Sequence, residues 1–210
     1  MAKVIKGNFP AKPKKKTIPI KKKAPKAAYQ LKVSLLYSKP PIWRRIQVPG
    51  GMTLARLHDV IQLCMGWTDT HLHQFMIGND FYAIPDEDDE WGEIRTLDES
   101  KFKLCDLEAD MRKHCMYEYD FGDGWEHKIK IEKVIPPDDK PAPHPILLAG
   151  ARACPPEDIG GPPGYEDFLA ALQDPQSEEH AEMLEWYGSD PFDPDFFEMD
   201  EINKLLKKIK

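Results

Sequence analysis

The chain has 210 residues, 41% of them apolar and 31% charged, with a net charge of −7. This composition fits an ordinary soluble globular protein of one domain with a small appended lobe. No apolar run approaches the roughly 20 residues of a membrane span, and no apolar core of a secretory signal opens the chain, so a cytoplasmic protein without membrane contact is expected.

The net charge conceals an asymmetry. Residues 1–28, MAKVIKGNFPAKPKKKTIPIKKKAPKAA, hold ten lysines and no acid, which leaves about −17 on the remainder. With so few large apolar groups this segment cannot bury a core, and a disordered basic tail is expected. Its clusters Lys14, Lys15, Lys16 and Lys21, Lys22, Lys23 could release counterions from nucleic-acid phosphate. The alternative is a solvating leader, or a tail that folds back on its own acidic body. Lysine without arginine or aromatics gives attraction without specificity.

Residues 29–49 read as a hairpin. Tyr29, Leu31, Val33, Leu35 and Tyr37 alternate, SKPP turns, and Ile42, Arg44, Ile46 and Val48 share one face of the return strand. Arg44 thus lies among apolar neighbours, where a carboxylate partner from YEYDFGD or CPPEDIGG is expected, because an unpaired buried charge is costly. TLARLHDVIQLCMGW reads as a helix capped by Thr53 and stopped at Gly66, with Leu54, Leu57, Ile61, Cys64 and Met65 as its apolar stripe. His58 neighbours that stripe and reads as a boundary residue. In HLHQFMIGNDFYAIP, alternation places His71, His73, Phe75 and Ile77 on one face of a strand. DEDDEWGE is an acidic loop without the glycine and ligand spacing of a calcium loop. TLDESKFKLCDLEADMRKHC reads as a connector with a short strand or turn near Lys103–Leu107.

YEYDFGDGWEHKIKIE places a glycine-aspartate-glycine turn between two alternating runs, a hairpin signature. Its glycines are expected to supply positive φ, and its strands to deliver Trp125 and His127 to one face. Asp120 falls in the opposite phase from Tyr119 and joins that face only through a bulge. PPDDKPAPHP follows as a proline-rich linker and CPPEDIGGPPGY as a rigid loop. YEDFLAALQ, SEEHAEMLEWYG and DEINKLLKKIK then read as three short helices. The order gives an α+β fold: a β-grasp-like sheet with one packed helix, plus a helical C-terminal lobe. The expected division is a tail over 1–28, a core over 29–135, and a loop and helical lobe over 136–210 that forms one structural unit with the core.

PPIWRRIQVP, HLHQFMI, YDFGDGWEHKI, CPPEDIGGPPGYEDFLAAL and EEHAEMLEWYG…FDPDFF, in this order, resemble the plasmid pRiA4b ORF-3-like family across residues 29–208. The resemblance implies a compact α+β domain carried as a passenger gene on plasmids and insertion elements, and also on chromosomes, with no firmly assigned activity. Some members carry a resolvase-type label, which this chain does not support. Ser34, Ser38, Ser100, Ser177 and Ser189 lack a nucleophile setting, and arginine is sparse after residue 45.

Two constellations carry possible chemistry. The first is a set of three imidazoles, His71, His73 and His127, which would suit zinc or another divalent metal if their strands adjoin. Hydrogen-bonded histidines in a polar patch are the simpler reading. The second is a polar cluster of Arg44, Asp120, Asp123, His127, Glu157 and Asp158. Beside it Cys154 is a thiolate candidate, against which the glycines and prolines of its loop read as turn chemistry. The four cysteines, Cys64, Cys105, Cys115 and Cys154, read as reduced thiols. The leading expectation is an accessory or binding protein of mobile-element origin, non-enzymatic, with a protein or nucleic-acid partner. The alternatives are a metal-dependent hydrolase and a nucleic-acid-associated protein acting through its tail.

Overall fold

A computed structural model of the chain describes residues 27–85, 96–188 and 192–209. The lysine clusters of the tail and the acidic loop DEDDEWGE lie outside them. The first strand takes in Ala28, which is buried.

Hairpin β1 (Ala28–Leu35) and β2 (Trp43–Pro49) leads into α1 (Leu54–Met65). Then come β3 (His73–Ile77), β4 (Asp80–Ala83), β5 (Thr96–Asp98), α2 (Leu104–Met111), β6 (Cys115–Tyr119) and β7 (Trp125–Ile135). Strand β8 (Ile146–Ala151) and helices α3 (Gly161–Gln173), α4 (Glu178–Tyr187) and α5 (Met199–Leu206) complete the chain. All eight strands form one sheet in the order β5-β4-β3-β6-β7-β1-β2-β8, antiparallel except where β4 meets β5. The fold is α+β, and the hairpin followed by a packed helix expected at its centre is present. Among the described residues no helix is long and apolar enough to cross a membrane.

Alternation explains the layering. Leu31, Val33, Arg44, Ile46, Val48, Phe75, Ile77, Tyr117, Tyr119, Trp125 and His127 turn to the buried face of the sheet, against Leu54, Leu57, Val60, Ile61, Cys64 and Met65 of α1. Lys128 and Lys130 of β7 face solvent on the opposite side. A half-solvated antiparallel sheet with this period-2 pattern is the expected outcome of such strands. Helix α1 has the expected caps: Thr53 accepts from the Arg56 N–H, and Gly66 adopts φ 95° and donates to Gln62.

Two elements differ from expectation. The connector after β5 contains α2, and the segment after residue 136 is more than a helical lobe, since β8 joins the sheet at β2. A bulge between Arg45 and Ile46 sets the β8 register. Helix α5 packs on β8 through Asn203, whose side chain bonds both the N–H and the carbonyl of Leu147.

Candidate functional site

Arg44 is buried, as its phase requires, but no carboxylate meets it among the described residues, which corrects the expected ion pair. Its guanidinium donates to four backbone carbonyls instead: Cys64 at 2.7 Å, Trp43 at 3.0 Å, and Ala151 and Arg152 at 2.9 Å each. The Phe197 ring lies 4.4 Å from its Cζ. The Cys64 carbonyl belongs to the last turn of α1, where helix dipoles accumulate negative charge, so backbone dipoles replace the acid. Burial nonetheless lowers the Arg44 pKa. This is a structural joint between β2, β8 and α1.

The three histidines expected to share a metal part company. β3 begins only at His73, so strand alternation does not extend back to His71, which turns to Asp120 and Asp158 whereas His73 turns to Glu99. His127 is fully buried, edge-on to Trp67, and its Nδ1 reaches the Tyr117 carbonyl at 3.3 Å. Burial brings its pKa down to about 4. His73 faces Glu99, with Nε2 2.9 Å from Oε2, and both side chains are almost wholly buried. The shared three-imidazole site is therefore overturned. Two other clusters form in its place.

The first lies under a cleft of about 470 Å3 between α1, the end of β4 and the Asp98–Ser100 turn. The rings of His58 and His73 stack at its floor, centroids 3.5 Å apart and planes within 5°. His58 Nε2 lies 2.8 Å from Asp69 Oδ1 and its Nδ1 lies 2.8 Å from the Tyr117 hydroxyl. Because a carboxylate only accepts, His58 donates from Nε2 and receives at Nδ1 from Tyr117. Gln62 donates to the same hydroxyl at 3.0 Å, and its Oε1 accepts from the Asp69 N–H at 3.1 Å. These contacts close a ring through Asp69, His58, Tyr117 and Gln62. Burial, then the neighbouring His73, lower the His58 pKa. Burial also holds the Tyr117 hydroxyl well above its ordinary range. The cleft further carries Asp59, Asp98, Arg56, Ala55, Ile84 and Pro85.

Sequence reasoning missed Glu99, Gln62 and Tyr117 as members of a site and set His58 at a helix boundary. A signal existed for α1: His58 falls between Leu54 and Ile61 in the apolar stripe, and Gln62 repeats the polar intrusion one turn later. Nothing local marks Glu99, which reaches the site from the far side of β5.

The second cluster gathers His71, Asp120, Glu157 and Asp158. The strand β6 ends at Tyr119, and Asp120 turns left-handed (φ 55°), which brings its carboxylate round without the bulge expected. Its Oδ1 accepts from the Gly122 and Asp123 N–H groups, and Oδ2 lies 3.6 Å from His71 Nε2. Gly124 has positive φ as expected, while Gly122 does not. Asp123 caps the loop opposite: its Oδ2 accepts from the Gly160 N–H at 3.2 Å. Glu157 accepts from the Thr68 N–H, the Thr68 hydroxyl and the Tyr119 hydroxyl. Of the residues read as a polar cluster, Asp120, Glu157 and Asp158 lie near His71, while Asp123 turns to Gly160, Arg44 to backbone carbonyls and His127 to the Tyr117 carbonyl. Cys154 is half-buried and burial raises its pKa, which disfavours a thiolate. The described cysteines are all free thiols.

The sequence model described as plasmid pRiA4b ORF-3-like protein matches residues 27–201. A curated relative, uncharacterized protein y4hQ of Sinorhizobium fredii (strain NBRC 101917 / NGR234), is 44% identical over 181 residues, covering 86% of this chain and 91% of the relative. The crystal structure of a protein of unknown function, MM3350 from Methanosarcina mazei Go1, superposes with a TM-score of 0.74 at 38% identity, covering 84% of this chain and 97% of that one.

Proposed function

The chain belongs to the plasmid pRiA4b ORF-3-like family, and we propose that it is an accessory binding module that takes a small cationic ligand in the cleft above His58 and His73. One observation carries the reading: an acid–imidazole–imidazole–acid row, with Asp69 exposed and His58, His73 and Glu99 buried, lies on the floor of that cleft. Burying Glu99 and two imidazoles is costly, and clustered polar groups under a concave surface mark functional sites. Four carboxylates, Asp59, Asp69, Asp98 and Glu99, line the cleft; Arg56 engages Asp59 at 2.8 Å and Lys101 engages Asp98 at 2.7 Å. The lining carries more acids than cations, while Ala55, Ile84 and Pro85 supply an apolar wall. A ligand with an ammonium or amidinium head and an apolar body matches both features.

Binding is favoured over catalysis because both nitrogens of His58 are consumed, one by Asp69 and one by Tyr117. A general base would need one of them facing the substrate. The plasmid in the family's description supports an accessory role, and the free thiols support a cytoplasmic setting. Nucleic-acid attachment through Lys14–Lys16 and Lys21–Lys23 is a separate proposal, resting on charge alone.

Calorimetric titration tests the cleft, with benzylamine as the cationic probe and benzoate as its anionic counterpart. Benzylamine should bind saturably and benzoate should not, and Glu99→Gln should weaken benzylamine about tenfold. Equal heats from both probes, or no effect of Glu99→Gln, would defeat the reading.

A further inference from the structure

We propose that His71, Asp120 and Asp158 form a site for one divalent first-row transition-metal ion, Zn2+ or Mn2+, separate from the cleft. His71 Nε2 is buried and makes no hydrogen bond. It nevertheless lies 3.0 Å from Asp158 Oδ1 and 3.6 Å from Asp120 Oδ2, with Glu157 Oε2 at 4.0 Å. The ligating atoms of His71, Asp120 and Asp158 all lie within 4.8 Å of one another.

The two facts about His71 are reconciled by co-ligation. A hydrogen bond needs the acceptor along the N–H axis. Two ligands of one ion each point at the ion and not at each other. With metal–ligand bonds of about 2.1 Å and a ligand separation of about 3.4 Å, the nitrogen-to-oxygen line departs from the ring's lone-pair axis by roughly 35°. An acceptor close to the nitrogen but off its axis is what such a site presents before the ion enters.

Charge points the same way. Three carboxylates surround one imidazole, and among the described residues no lysine or arginine forms an ion pair with any of them. Each acid already has a distinct assignment. Asp120 commits Oδ1 to the turn and leaves Oδ2 toward His71. Glu157 is anchored by Thr68 and Tyr119 and supports the site from behind. The Asp158 side chain is 70% exposed, so the remaining coordination positions open to solvent. One imidazole with two carboxylates suits Zn2+ or Mn2+ better than Ca2+, which takes six to eight oxygens. The ion would staple three segments: the turn after α1, the β6–β7 loop, and the loop preceding α3.

The test uses the full chain, untagged and chelator-treated, titrated calorimetrically with Zn2+, Mn2+, Mg2+ and Ca2+, with thermal unfolding followed in parallel. One Zn2+ or Mn2+ should bind per chain and raise the melting temperature. His71→Asn and Asp158→Asn should each weaken binding at least tenfold, whereas His114→Asn, at an exposed histidine outside both sites, should leave it unchanged. Asp158 is exposed, so its variant separates loss of ligation from loss of folding. Binding that survives Asp158→Asn, binding that His114→Asn abolishes, tighter binding of Ca2+ than of either transition metal, or no saturable binding at millimolar ion would each overturn the proposal.

Discussion

His58 of α1 and His73 of β3 stack face to face, 3.5 Å between centroids, with a carboxylate at the outer nitrogen of each. Burial first, and the neighbouring ring second, hold the His58 pKa below its ordinary value. Tyr117 fixes the arrangement from below by donating to His58 and accepting from Gln62.

Tyr117→Phe should therefore cost about 1–3 kcal/mol in urea unfolding, because it orphans the His58 nitrogen and the Gln62 amide together. In combination with Gln62→Leu the loss should be less than the two single losses added, since both act on one ring of hydrogen bonds.

Acid should unfold the protein through its buried imidazoles. Burial lowers the His127 pKa from 6.5 to about 4 and lowers that of His58 as well. The unfolded chain takes up these protons first, so their contribution to stability is complete above pH 6.5 and is lost as the pH falls toward 4. For His127 alone the shift corresponds to about 3 kcal/mol. His127→Phe should flatten the stability profile across this window when unfolding is followed against pH.

Arg44→Ala should destabilise the fold by about 3–5 kcal/mol, since four carbonyls lose their donor at a buried joint. Arg44→Lys should recover less than half of that in chemical denaturation, because an ammonium cannot reproduce the planar fork.

Gly161→Ala should be more damaging than Gly124→Ala, although both residues have positive φ. A β-carbon at Gly161 would sit 2.3 Å from the Asp123 carbonyl oxygen, whereas one at Gly124 meets nothing within 4 Å. Thermal unfolding should show roughly 2 kcal/mol or more lost at Gly161 and about 1–2 kcal/mol at Gly124, the cost of a left-handed L-residue.

Periodicity was enough to place β1, β2, α1 and the hairpin of β6 and β7, because each carries a buried face and a recognisable turn or cap. It was not enough for α2, whose N-cap Lys103 makes no side-chain cap, nor for β8, a run of small and apolar residues that becomes a strand by pairing with β2. The site was legible only in parts. Asp120, Glu157 and Asp158 stood out as acids beside turn-forming glycines. Their meeting with His71 depends on the left-handed turn at Asp120, which alternation counts as strand. The His58–His73 stack depends on where α1 crosses the sheet, and no spacing within either segment encodes that crossing.

The most direct test of the binding cleft follows the imidazole resonances of His58, His73 and His127 by nuclear magnetic resonance while benzylamine is added. His58 and His73 should shift together and saturate with one binding constant, while buried His127 stays still, and Glu99→Gln should diminish the response. Resonances of His58 and His73 that remain fixed at saturating benzylamine, or that move no more than that of His127, would contradict the account.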